Sequence, residues 1–182
     1  MIKKEIICTL GPKSLNKNFL KFSNKKISLL RLNMSHLTLN KLKRSINIIR
    51  KNSRVPICLD TEGAQIRIKV KKDKFLRFGQ ILKISKKGGT RLYPEHVLND
   101  LKIGDVLNIG FRNLRIKVIK KNKEVLCKII TAGNLENNKG VHLENRKIKL
   151  NFITKKDFHA IKIGKKFKIK NYALSFANSV DD

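Results

Sequence analysis

The stretch Ile57-Cys58-Leu59-Asp60-Thr61-Glu62-Gly63-Ala64-Gln65-Ile66-Arg67-Ile68-Lys69-Val70 decides the fold, because the hydrophobic period changes inside it. Its first part, led in by Val55-Pro56, is a near-continuous apolar run, as expected of a strand covered on both faces in a parallel sheet. Its last part alternates apolar and charged side chains, the pattern of a strand with one buried face. Asp60-Thr61-Glu62-Gly63 lies between them, placing polar groups just beyond the carboxyl end of a strand.

The same arrangement occurs twice upstream. Glu5 to Leu10 is a short β-rich run stopped by Gly11-Pro12, and Ile27 to Leu32 is a second run, followed by Asn33-Met34-Ser35-His36. A lysine-rich segment with Phe19, Leu20 and Phe22 predicts a short helix between them. From Thr38 to Lys51, Leu39, Leu42, Ile46 and Ile49 recur at three- and four-residue steps, which predicts an amphipathic helix. Strands alternating with helices argue for a parallel α/β sheet. In such sheets the carboxyl ends of the strands converge on one face, and that face holds the site.

Downstream, alternating runs start at Ile66, Ile81, Val106, Leu114 and Val125, separated by turn chemistry such as Lys87-Gly88-Gly89 and Ile103-Gly104-Asp105. They predict a small antiparallel barrel or sandwich. After Gly140 the helix-strand rhythm returns. Thr154 with Asp157 three residues on forms a capping-box-like start, Phe158, Ile161 and Phe167 are expected to supply the apolar face, and Asn171 to Phe176 reads as a fourth strand. The expected organisation is 1–66 for the first three strands with their helices, 67–138 for an inserted all-β domain, and 139–182 for the return.

Composition narrows the function. No stretch approaches the roughly 18 apolar residues of a membrane span. Met1-Ile2-Lys3-Lys4 is followed by too short an apolar run for a signal peptide, so the reading is an ordinary cytoplasmic N-terminus. Cys8, Cys58 and Cys127 sit in apolar runs without a paired spacing, which suits small buried hydrophobes in a reducing compartment. The four histidines show no zinc-type spacing. Lys and Arg total 43 against 13 Asp and Glu, a net charge of +30, so polyanions will bind electrostatically. The charge is spread through every segment, and aromatics are only 6%, which argues against a dedicated nucleic-acid reader. Binding to nucleic acid is therefore expected to be non-specific.

Cys8-Thr9-Leu10-Gly11-Pro12-Lys13-Ser14, Arg31-Leu32-Asn33-Met34-Ser35-His36 and Leu59-Asp60-Thr61-Glu62-Gly63 together resemble the opening motifs of the pyruvate kinase family. Lys139-Gly140-Val141-His142-Leu143 resembles its K-G-V-N-L segment. Thr154-Lys155-Lys156-Asp157 and Tyr172-Ala173-Leu174-Ser175-Phe176 resemble a later helix start and strand. The resemblance implies a partial (β/α)8 (TIM) barrel with an inserted all-β lid, and phosphoryl transfer from phosphoenolpyruvate to ADP, giving pyruvate and ATP in glycolysis. It implies K+ and Mg2+ as cofactors. By the same resemblance Arg31 contacts the transferring phosphate, Asn33, Ser35, Asp60 and Thr61 form a potassium cage, and His36 and Lys139 lie on the nucleotide side. Planar guanidinium donors suit phosphate, and hard oxygen donors suit such a cation.

The chain also departs from the family pattern. Glu62 stands where the family has lysine, Ala64 replaces a hinge proline and Gln65 replaces a glutamate linked to potassium dependence. Asn108-Ile109-Gly110, Glu144 and Asn178 stand where the family has Asp-Asp-Gly, proline and arginine. The catalytic lysine, the acidic Mg2+ ligands and a substrate-side threonine lie on later strands of the family, without counterparts here. The expectation is thus the N-terminal part of a kinase site, either as a fragment or as one piece of a split enzyme whose barrel a second polypeptide completes. The alternatives are a degenerate non-catalytic remnant, or a basic nucleic-acid-binding module.

Overall fold

Apolar runs become strands, and the computed structural model describes them over residues 4–110, 114–177 and 179–182. The chain divides into two units, Met1–Ala64 with Leu150–Asp182, and Gln65–Lys149. The first unit opens with β1 (Ile7–Thr9), α1 (Lys17–Lys26), β2 (Leu29–Asn33), α2 (Leu39–Asn52) and β3 (Ile57–Asp60). The second contains β4 (Ile66–Val70), β5 (Lys74–Leu76), β6 (Ile81–Ile84), β7 (Thr90–Tyr93), α3 (Val97–Asp100), β8 (Val106–Ile109), β9 (Leu114–Lys121), β10 (Val125–Thr131), β11 (Gly133–Leu135) and β12 (Gly140–Leu143). The chain then returns to the first unit with α4 (Lys155–Lys166) and β13 (Asn171–Ala173).

In the first unit β1, β2, β3 and β13 form a four-stranded sheet in that order, every pair parallel. Register places Thr9 beside Arg31, Arg31 beside Cys58 and Asn33 beside Asp60. The polar residues that follow each apolar run are therefore brought together at one end of the sheet. Leu30, Leu32 and Leu59 of the strands pack with Leu42, Ile46 and Ile49 of α2 in one core. Each helix is started by a side chain: Asn16 accepts from Phe19 N, Thr38 from Lys41 N, and Thr154 forms a reciprocal capping box with Asp157.

Two expectations for this unit are corrected. The fourth strand ends at Ala173 instead of Phe176: Ser175 N turns to donate to Thr61 Oγ1 at 3.0 Å, and Phe176 takes a left-handed φ of 54°. The fully buried side of α4 consists of Asp157, Ala160 and Gly164; Phe167 packs against the core as expected, together with Ile163, while Phe158 is 52% exposed. Gly164 allows the close approach there, because a Cβ would lie 2.7 Å from Tyr172 Oη and 2.8 Å from Leu59 Cδ1 and those side chains would have to shift. The close approach of α4 to β3 uses small residues, and a search for large apolar ones misses that face. Cys58 and Cys127 are buried as expected, but Cys8 is only half-buried, on edge strand β1.

The second unit is a seven-stranded antiparallel sheet, ordered β6-β10-β9-β8-β12-β4-β7, with a two-stranded sheet β5-β11. Ser85 N donates to Thr90 O at 3.1 Å, linking the end of β6 to the start of β7, so the sheet comes close to closing on itself. Inward-facing Ile68, Leu107, Ile116, Val118 and Ile129 are fully buried. All five alternating runs form strands, and four further short strands join them. Lys139 to Leu143 was expected to open the return of the chain. Instead β12 lies between β4 and β8, with Val141 opposite both Ile66 and Ile109. The return begins at Leu150, because the alternation of Val141, His142 and Leu143 fits a half-buried sheet position.

Candidate functional site

The site grows out of the β2 and β3 ends. Asp60 is 2% exposed and would be costly to bury without partners. It has them: Ser175 Oγ donates to Asp60 Oδ1 at 2.5 Å, and Arg31 Nη1 stands 3.4 Å from Asp60 Oδ2. Arg31 Nε donates to Thr9 Oγ1 at 2.8 Å, so the guanidinium is gripped from two strands. Asn33 Oδ1 accepts from Ser35 N at 2.8 Å, which folds the segment after β2 into a tight turn. His36 N donates to Asn33 O at 3.2 Å and closes that turn.

Arg31, Asn33, Ser35, Asp60 and Thr61 thus lie together. They combine one planar cation with amide, hydroxyl, carboxylate and carbonyl oxygens. Such a donor set, with one carboxylate shared with an arginine, fits a hard cation of low charge beside an anion. Among the described residues no group of three or more His, Cys, Asp or Glu gathers into a metal-binding cluster. His36 lines a cavity of about 660 Å³ between the loop after β1 and helix α2, together with Thr9, Gly11, Pro12 and Asn33. Lys139 belongs to the second unit, where it pairs with Glu136 at 2.8 Å.

Asp157 and Ser175 organise this end of the sheet, and neither was singled out from sequence as a site residue. Asp157 is fully buried. Its carboxylate accepts from Glu62 N at 2.8 Å, Gly63 N at 3.1 Å, Thr154 N at 3.1 Å and Thr154 Oγ1 at 2.9 Å. It thereby fixes the loop after β3 from the start of α4. The capping-box spacing was the available signal, and it pointed to helix stability alone. Ser175 bonds both Asp60 and Thr61. Gly63 has φ +62°, and a Cβ there would collide with the Ser175 carbonyl oxygen, which explains the glycine.

The departures from the family pattern also find places. Glu62 is buried and pairs with Lys156 Nζ at 2.9 Å, and its other oxygen lies 3.2 Å from Thr154 Oγ1, whose one proton it shares with the nearer Asp157. Lys156 Nζ also donates to the Met34 carbonyl, so the pair ties the loops after β2 and β3 together. Glu144 is held by Arg115 at 2.6 and 2.8 Å; these hydrogen bonds lower its pKa against a smaller opposing effect of burial. Gln65 is 9% exposed, and its Oε1 is buried without a hydrogen-bond partner among the described residues. Asn178 lies outside the described residues.

A guanidinium, a buried aspartate and an amide-hydroxyl set at the carboxyl ends of a parallel sheet make an α/β site able to handle phosphate and cation together. The protein-family model for the pyruvate kinase barrel domain matches residues 1–182. The pyruvate kinase of Staphylococcus epidermidis is 35% identical over 199 aligned positions, covering all of this chain and 34% of that protein. That of Staphylococcus aureus is 33% identical over the same shares. A crystal structure of Cryptosporidium parvum pyruvate kinase matches with a TM-score of 0.88 at 28% identity, covering 97% of this chain and 40% of that one. The chain belongs to the pyruvate kinase family. It spans about a third of the length of the curated relatives it matches.

Proposed function

We propose that this chain supplies the phosphate-gripping and potassium-holding part of a cytoplasmic pyruvate kinase centre. In this reading the four-stranded sheet is the first half of a (β/α)8 barrel, the all-β unit is its lid, and the later strands of the family's barrel complete the centre. The observation that supports it most is the Arg31–Asp60 pair across β2 and β3, set among the oxygens of Asn33, Ser35 and Thr61.

The reaction passes a phosphoryl group from phosphoenolpyruvate to ADP. The bond from phosphorus to the enol oxygen breaks, a bond to a terminal oxygen of ADP forms, and the enolate left behind takes a proton to give pyruvate. Catalysis of this kind depends mostly on positioning and charge neutralisation. Arg31 is the group suited to hold the transferring phosphate: Thr9 and Asp60 fix its plane while its outer donors stay available. Asn33, Ser35, Asp60 and Thr61 would hold K+, which with Mg2+ held by groups on other strands supplies positive charge beside the phosphoryl group. His36 and the cavity beside it would take the nucleotide, and Lys139 would neutralise its phosphates from the lid. Asp157, Glu62 and Lys156 act through the loops they hold.

A coupled assay for pyruvate tests this. The 182-residue chain alone is expected to show no turnover. Turnover is expected once a polypeptide carrying the remaining barrel strands is added, and it should vanish with Arg31→Ala. One observation favours the alternative of a non-catalytic remnant: Glu62 reverses a charge close to the phosphate-handling residues. Its pairing with Lys156 compensates for that reversal. Failure of the complemented chain to turn over, together with no binding of phosphoenolpyruvate, would decide for the remnant.

A further inference from the structure

The first turn of α4 meets both halves of the oxygen set at their peptide bonds. Asn33 ends β2 and Ser35 follows it; Asp60 ends β3 and Thr61 follows it. In the first half the Met34 carbonyl accepts from Lys156 Nζ. The N–H of that same peptide unit, Ser35 N, donates to Asn33 Oδ1 at 2.8 Å. A trans peptide is planar, with its C=O and N–H pointing in opposite directions. Held at both ends, this one cannot turn without breaking one bond or the other, and it fixes the Asn33 amide and the Ser35 backbone together. In the second half Glu62 N donates to Asp157 Oδ1 at 2.8 Å. The carbonyl of that peptide belongs to Thr61, and planarity turns it away from Asp157. Lys156 and Asp157 are consecutive in α4, so one helical turn orients both halves.

The charge of Lys156 has to be reconciled with this place. Met34 stands between Asn33 and Ser35, and a bare ammonium at its carbonyl would repel a cation held by those residues. Glu62 removes the conflict. It is 5% exposed, and its Oε2 lies 2.9 Å from Lys156 Nζ, so the two form a neutral pair. Lysine thereby brings a fixed donor to the Met34 carbonyl without adding net positive charge beside the oxygens.

We propose that Lys156 is a positioning residue of the cation cage, acting through the Met34–Ser35 peptide, with Glu62 as its neutralising partner. The proposal rests on the reading of Asn33, Ser35, Asp60 and Thr61 as a potassium site, and deepens it by naming what sets their geometry. The test is a titration of the 182-residue chain with K+, exchanged for tetramethylammonium at constant ionic strength. The rise in thermal midpoint gives the half-saturation concentration, because a ligand bound only by the folded state stabilises it by mass action. For Lys156→Met the two effects have opposite signs. Loss of a nearby cation alone would tighten K+ binding, whereas loss of positioning weakens it. Weakening of about tenfold is expected, the usual scale for groups that orient metal ligands. Combined Glu62→Gln and Lys156→Met keeps the local net charge and leaves no buried carboxylate unpaired, and it should show a similar loss. Lys156→Arg can still donate to both Glu62 and the Met34 carbonyl, and should restore most of the affinity. A half-saturation concentration unchanged or lowered in both methionine variants, while the unsubstituted chain responds to K+, would overturn the proposal and leave the potassium site standing. No response to K+ in the unsubstituted chain would remove the potassium reading, and the proposal with it.

Discussion

Asp157 accepts four hydrogen bonds from neutral donors in a fully buried position, two of them from the backbone of the loop after β3. Truncating it leaves those donors without partners and removes a helix cap. Asp157→Ala is expected to destabilise the first unit by about 3 kcal/mol, measured by urea unfolding. Asp157→Asn keeps an acceptor oxygen and should cost less. At Cys127, burial pushes the thiol pKa up to about 12. Burial, followed by the charge of Asp60, also raises Cys58, against the smaller opposing influence of Arg31. Thiolate is the reactive form. In the native chain a thiol reagent at neutral pH should therefore label half-buried Cys8 first and spare Cys127, with peptide mass spectrometry as the check. Labelling of Cys127 before Cys8 would show that the second unit opens readily.

At the scale of elements, Gly164 sets two effects against each other. Alanine is the better helix former by about 1 kcal/mol, but its Cβ would press on Tyr172 Oη and Leu59 Cδ1. Overpacking commonly costs about 1–3 kcal/mol, so Gly164→Ala should lower the thermal midpoint despite the propensity gain. The alternation of strand and helix, and the change of period at Ile66, could be read from side-chain pattern alone, because periodicity records which face is buried. Helix α2 is the clearest case, with Leu42, Ile46 and Ile49 buried as their spacing requires. The burial of Gly164 and Ala160 could not be read so, since small residues carry little pattern and their reason lies across the interface. Nor could the place of β12 be read from it, because a strand motif does not say which sheet will take it. In the site, the residues that follow strands were legible as polar punctuation. Ser175 and Asp157 were not, because their partners lie 115 and 95 residues away in sequence.

For the whole molecule, charge governs behaviour in solution. With a net charge of +30, affinity for unrelated nucleic acids is expected at low salt and should fall steeply as added salt makes the release of counterions on binding less favourable. Titrations of several sequences at two salt concentrations check it, and sequence preference retained at high salt would contradict it. In the second unit burial pushes the Asp105 pKa up, but hydrogen bonds from Arg146 and from Lys102 N, with the charge of Arg146, outweigh this and leave it below the ordinary value. A carboxyl depressed in the folded state contributes stability above its unfolded pKa of about 3.9 and loses it as pH falls through the folded value. The second unit should therefore weaken below about pH 4, and Asp105→Asn should flatten that dependence in unfolding followed by circular dichroism. The pairing of Ile66 with Val141 has a further consequence, for how the chain folds. The bond from Glu62 N to Asp157 must close a loop spanning 95 residues. Once β4 and β12 have joined, the effective loop shrinks to about twenty residues, which lowers the entropic cost of closure by about 1.4 kcal/mol. The inserted unit can thus act as a hairpin clip on the assembly order: a sheet formed first would raise the encounter frequency of the two separated segments about tenfold.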